Sequence, residues 1–154
     1  LGEIRPEVQD FLDYILSDLG QQVIGEAGYV TVSEGSYAAS ELSGTVKVAG
    51  STSVAPVMEK LAEAYMALNP NVKVEIQTFD SSTGLSSLAE GLCDIAMSSR
   101  NLKDSEIAKG IVPTTICMDG IAVIVNGDNA VDGLTMEQLR AIFMGEISDW
   151  TQVA

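Results

Sequence analysis

The chain has 154 residues, 46% of them hydrophobic, which suffices for one globular domain with a buried core. Its net charge of −14, from 8 basic against 22 acidic residues, disfavours nucleic acid and anionic membrane surfaces as partners. The absence of histidine removes the commonest general base and metal ligand, so neither a metal nor another cofactor is expected.

In chain order, Pro6 suits a first helical turn. Val8, Phe11, Leu12, Ile15, Leu16 and Leu19 then form one apolar stripe, which predicts a helix stopped by Gly20. No basic n-region and apolar h-region precede it, so an export signal is not expected in this sequence. No apolar run reaches the roughly 18 residues of a membrane span. Gln21 to Ala27 reads as a short helix ending at Gly28, and residues 29–32 as a short strand. Residues 33–43 (Ser-Glu-Gly-Ser-Tyr-Ala-Ala-Ser-Glu-Leu-Ser) have linker composition and place a boundary.

Beyond that boundary a strand–loop–helix pattern repeats. Thr45 to Ala49 enters the loop Gly50-Ser51-Thr52-Ser53 as a strand. Val54, Val57, Met58, Leu61, Tyr65 and Leu68 predict the amphipathic helix that leaves it, broken at Asn69-Pro70. Val72, Val74 and Ile76 mark one face of a second strand, followed by the hydroxyl-rich loop Asp80-Ser81-Ser82-Thr83-Gly84. A helix carrying Leu85, Leu88, Ala89 and Leu92 comes next, then a buried strand at 94–97 that ends in Ser98-Ser99-Arg100. Residues 111–117 and 120–125 read as two further strands, the second apolar on both faces. Thr135 with Gln138 forms a capping box and Leu134 with Leu139 a hydrophobic staple, which start a last helix bearing Ile142 and Phe143, with Trp150 near its end.

Alternating strands and helices predict an α/β domain with a largely parallel sheet. In such sheets ligands bind beyond the carboxyl ends of the strands. Three successive strands here end in Ser/Thr-rich tips, which would meet at one edge. One tip alone reads first as helix capping, since serine and threonine are preferred N-caps. Three together favour an oxyanion held by hydroxyls and helix N-termini. Arg100, the cation beside these tips, has two readings: a partner for the anion, or a surface charge paired with Asp104. Nucleophilic catalysis lacks a base, no P-loop is present, and the carboxylates are dispersed, so no enzyme is expected. Cys93 and Cys117 fit no metal or C-x-x-C spacing; buried free thiols and a disulfide both stay open.

The segments 49–56, 80–84, 94–100, 119–126 and 142–150 resemble, in order, the phosphate-binding protein (PstS) family of bacterial phosphate ABC importers. Residues 8–17, 20–22 and 27–30 resemble that family's C-terminal helices and last strand. The resemblance implies a single lobe of a type II periplasmic-binding-protein fold, a mostly parallel sheet flanked by helices, with its segments circularly permuted. Residues 1–32 would be the family's C-terminal segment, 33–43 a linker and 44–154 its N-terminal segment. The chain would be one lobe over 1–154, read as an engineered join, with a natural permuted relative or a piece of a tandem array as the alternatives.

By the same resemblance Thr52 and Ser53 would donate to phosphate from a helix N-terminus, Ser81 from the second tip, with Ser99 and Arg100 at the third. Ser99 stands where some members carry an aspartate. The implied partners are inorganic phosphate and, for the parent, an ABC importer permease. The parent would be extracytoplasmic, periplasmic or a cell-surface lipoprotein. The face meeting the absent second lobe would favour self-association, and a folding unit without ligand affinity is the alternative.

Overall fold

Helix α1 (Pro6–Ile15) has proline in its first turn and buries Val8, Phe11, Tyr14 and Ile15 in the computed structural model, which describes residues 3–153. The apolar stripe does not continue to Gly20 as one helix. The chain turns at Leu16 and Ser17, and a second helix, α2 (Asp18–Glu26), starts with Ser17 as its N-cap, accepting the Gly20 N–H at 3.4 Å. Gly20 thus lies inside a helix. A Cβ there would collide with the carbonyl oxygens of Tyr14 and Ile15, so the glycine serves close approach between two helices and not termination. Gly28, with φ +90°, follows α2 as the stop.

Residues 29–32 make only one antiparallel bridge, Val30 to Met118, in place of a strand. Residues 33–43 contain no helix or strand, yet they are anchored. The Asp10 carboxylate of α1 accepts from the hydroxyls of Tyr37 (2.8 Å), Ser40 (3.0 Å) and Tyr65 (2.7 Å). Asn69 accepts the Ser40 N–H at 2.9 Å and donates to the Tyr37 hydroxyl at 2.8 Å. Tyr37 also stacks edge-on against Tyr14, centroids 5.2 Å apart.

Strand β1 (Gly44–Ser51), helix α3 (Ala55–Leu68), strand β2 (Val72–Phe79), helix α4 (Ser81–Ala89) and strand β3 (Ile95–Met97) realise the predicted alternation. The sheet order is β2-β1-β3, with both pairs parallel. Val46, Val48 and Val74 face a buried cluster with Phe11, Ile15, Leu61 and Tyr65. On the opposite face, by strand alternation, Lys47, Glu75 and Gln77 line a shallow cleft of about 200 Å³ together with Ser87 and Cys93. Leu92 lies past the end of α4 and is 64% exposed, so it does not extend that helix's buried face. Both cysteines are free thiols, and burial raises the pKa of each.

A short helix, α5 (Asp104–Ile107), follows β3. Residues 1–120 form one compact unit and residues 121–154 a second. In the second, helix α6 (Met136–Phe143) is entered by the expected capping box: Thr135 accepts the Gln138 N–H at 3.1 Å, and Gln138 accepts the Thr135 N–H at 2.8 Å. Trp150 starts a single 3₁₀ turn, Trp150–Gln152. The strands expected at 111–117 and 120–125 do not form, and Ile121 and Ile124 are 98% and 89% exposed. An apolar run becomes a strand only when a neighbour takes its N–H and C=O groups. Apart from the bridge at Met118, no neighbour does so among the described residues.

Candidate functional site

Ser51 pairs with Phe79 and Gly50 with Met97, so the three parallel strands end level with one another. Two glycines allow the close packing behind that edge. A Cβ on Gly84 would stand 2.8 Å from the Ala49 carbonyl oxygen, and one on Gly50 3.0 Å from the Met97 nitrogen. Gly50 moreover has φ +134°, a region that side chains other than glycine rarely adopt. Helix α4 therefore starts directly against the end of β1. Sequence reasoning did not single out these glycines as site residues; the signal was a glycine at the end of one strand matched by one in the first turn of the helix that follows the next strand.

At the first tip, the Thr52 N–H and hydroxyl both donate to the Phe79 carbonyl, at 3.0 and 3.1 Å. Helix α3 takes Val54 as its N-cap and has no side-chain cap, so the hydroxyls of this tip are not used in capping. Ser53 follows Thr52 in the chain and is exposed.

The second tip is the first turn of α4, where a loop was expected. Asp80 is its N-cap, accepting the N–H groups of Ser82 at 2.8 Å and Thr83 at 3.0 Å as well as the Thr83 hydroxyl. These bonds, the Thr83 hydroxyl first among them, hold the Asp80 carboxyl below its usual range. Capping accounts for Asp80 and Thr83 but not for Ser81 and Ser82. The Ser81 hydroxyl oxygen accepts the Ser99 N–H at 3.2 Å and lies 3.4 Å from the Ser99 hydroxyl. The Ser82 hydroxyl oxygen accepts from Arg100 Nη2 at 3.0 Å.

Arg100 forms a two-pronged ion pair with Glu106, at 2.8 and 3.0 Å, and not with Asp104. The reason is local. Asp104 opens α5, while Glu106 turns back to accept the Lys103 N–H at 2.7 Å and so faces the guanidinium. The Arg100 hydrogen bond, and then the Lys103 N–H, hold the Glu106 carboxyl down to about 2. Arg100 Nη1 also donates to the Asn101 carbonyl at 2.9 Å. With Glu106, Asn101 and Ser82 as acceptors, both terminal nitrogens are fully engaged, so Arg100 reaches the cluster through Ser82.

The structure thus brings Thr52, Ser81, Ser99 and Arg100 to one edge of the sheet, with Ser53 beside Thr52. Ser82 is a further member that sequence reasoning did not single out. Neutral hydroxyls and N–H groups at helix starts suit an oxyanion without a matching free cation.

Residues 35–154 match the model of a PBP superfamily domain. Phosphate-binding protein PstS 2 of Streptococcus agalactiae is 46% identical over 154 residues, which are 99% of this chain and 53% of that protein. The crystal structure of a phosphate-binding protein of a Streptococcus pneumoniae phosphate ABC transporter superposes with a TM-score of 0.88 at 38% identity, covering 98% of this chain and 59% of that one. A Clostridium perfringens structure, described as a phosphate ABC transporter substrate-binding protein with bound phosphate, gives a TM-score of 0.56 at 41% identity, over 71% of this chain and 45% of that one. The chain spans about half the length of the curated streptococcal protein it matches. That alignment takes in residues both before and after 33–43.

Proposed function

The chain belongs to the PBP superfamily, and from that premise we propose that it is one lobe of the substrate-binding component of a phosphate ABC importer. Its part of the phosphate site is the hydroxyl edge formed by Thr52, Ser53, Ser81 and Ser99, with Arg100 behind Ser82. The observation that carries this reading is the pairing of Ser81 with Ser99 across two strand ends, which helix capping does not require. The names of the streptococcal relatives and the bound phosphate of the Clostridium perfringens structure support the choice of anion.

The parent works outside the cytoplasmic membrane, delivers phosphate to a permease and catalyses no reaction. The remaining contacts to the anion come from the part of the protein beyond this half, so this chain alone binds phosphate far more weakly than the two-lobe parent. The apolar side chains exposed in residues 121–144 favour self-association of the isolated half.

An amide-detected NMR titration with inorganic phosphate tests the reading. Shift changes centred on Thr52, Ser81 and Ser99, saturating in the millimolar range, are the expected result. A blank titration leaves a folding unit without affinity, and sub-micromolar binding would contradict the assignment of half a site.

A further inference from the structure

Two neighbouring residues of the third tip reach across to two neighbouring residues of the second. Ser99 donates its N–H to the Ser81 hydroxyl oxygen at 3.2 Å, and Arg100 Nη2 donates to the Ser82 hydroxyl oxygen at 3.0 Å. The first link joins neutral groups, whereas the second is shorter and charge-assisted. Arg100 is itself held from three sides. Both oxygens of Glu106 accept from it, the Asn101 carbonyl accepts from Nη1, and the Ser98 hydroxyl donates to the Arg100 carbonyl at 2.8 Å. The two terminal nitrogens carry four protons and meet four acceptors, so neither has a proton left for an anion. Ser81, by contrast, accepts through its oxygen and keeps its proton to donate.

We propose that Arg100 is a positioning residue of the phosphate site and not a ligand in it. Through Ser82 it clamps the first turn of α4 against the third tip, which sets the spacing of Ser81 and Ser99. This rests on the phosphate reading above. Glu106 cancels the charge of the arginine and fixes its direction, so the clamp acts by geometry and not by attraction for the anion. Groups that must meet one ligand together keep their places only when supporting bonds fix them. Without the Ser82 bond, the Ser81–Ser99 contact alone would set that spacing. Loss of one charge-assisted bond of this kind should weaken phosphate binding about tenfold.

The test is a set of amide-detected NMR titrations with inorganic phosphate. The proteins are wild type, Ser82→Ala, Ser82→Thr, the pair variant Arg100→Gln/Glu106→Gln, and the pair variant combined with Ser82→Ala. Removing Arg100 and Glu106 together keeps the net charge of the chain. Ser82→Ala and the pair variant should each bind phosphate about tenfold more weakly, and their combination no more weakly than either. Ser82→Thr, which keeps the hydroxyl, should bind like wild type. A loss that multiplies in the combined variant makes Arg100 a ligand and overturns the positioning role. So does wild-type affinity in Ser82→Ala, which alters an exposed side chain and decides the matter even if the pair variant fails to fold. Ser82→Thr binding as weakly as Ser82→Ala overturns it too, and each of these results leaves the phosphate site standing. A wild type that binds no phosphate overturns the phosphate reading, and this assignment with it.

Discussion

Glu106 shows how a single side chain sets the character of the edge. It takes both prongs of Arg100 and neutralises it, so the tips offer hydroxyl and N–H dipoles in place of a free cation. Its folded pKa, about 2, lies below the unfolded value of about 4.3, so the pair contributes stability above that unfolded value and loses it as pH falls toward 2. Glu106→Gln should therefore be less stable than wild type at neutral pH, with the difference closing under acid. Urea midpoints across that range test this, and a gap independent of pH would show that the ion pair is not its source. The choice of Glu106 over Asp104 was hidden in the sequence, because both lie within a turn of Arg100 and only the start of α5 decides which one faces it.

At the scale of elements, the edge exists because α4 begins in contact with β1. Gly84 and Gly50 make that approach, and the approach sets Ser81 beside Ser99. Gly84→Ala inserts a methyl 2.8 Å from the Ala49 carbonyl oxygen, an overpacking that should cost about 1–3 kcal/mol. It should also move the Ser81 and Ser99 amide resonances together. Wild-type stability in this variant would mean that α4 can shift freely on the sheet. The same physics explains Gly20, which sequence reasoning took for a helix stop: glycine marks a left-handed turn at Gly28 but a helix–helix contact at Gly20, and only the neighbouring backbone tells them apart.

At the scale of the molecule, residues 33–43 have the composition of a tether and the bonding of a strap. Three hydroxyls converge on Asp10, from α1 to residues 33–43 and α3, and Asn69 closes the network. Asp10→Ala strands those hydroxyls and should cost about 1–3 kcal/mol, with faster proteolysis between residues 33 and 43. Burial first, and the Asp10 hydrogen bond second, push the Tyr37 hydroxyl up to about 12, with Tyr65 shifted in the same direction. Part of that shift should vanish in Asp10→Ala, readable by ultraviolet titration. Unchanged tyrosine titration and protease resistance would show that packing alone holds the strap.

Local rules decided much about this protein. Apolar periodicity located β1, α3, β2, α4 and β3; proline and the capping box placed the starts of α1 and α6; and three hydroxyl-rich tips on successive strands pointed to one edge. These features are legible because they depend on residues within a turn or two of each other. Tertiary structure alone decided the rest: which carboxylate holds Arg100, which glycines are contacts, that residues 33–43 are bonded down, and which way each hydroxyl points. It also decided that residues 120–125, strand-like in sequence, remain unpaired. A strand is a property of two segments, and a hydrogen bond of two partners, so neither can be read from one stretch of chain.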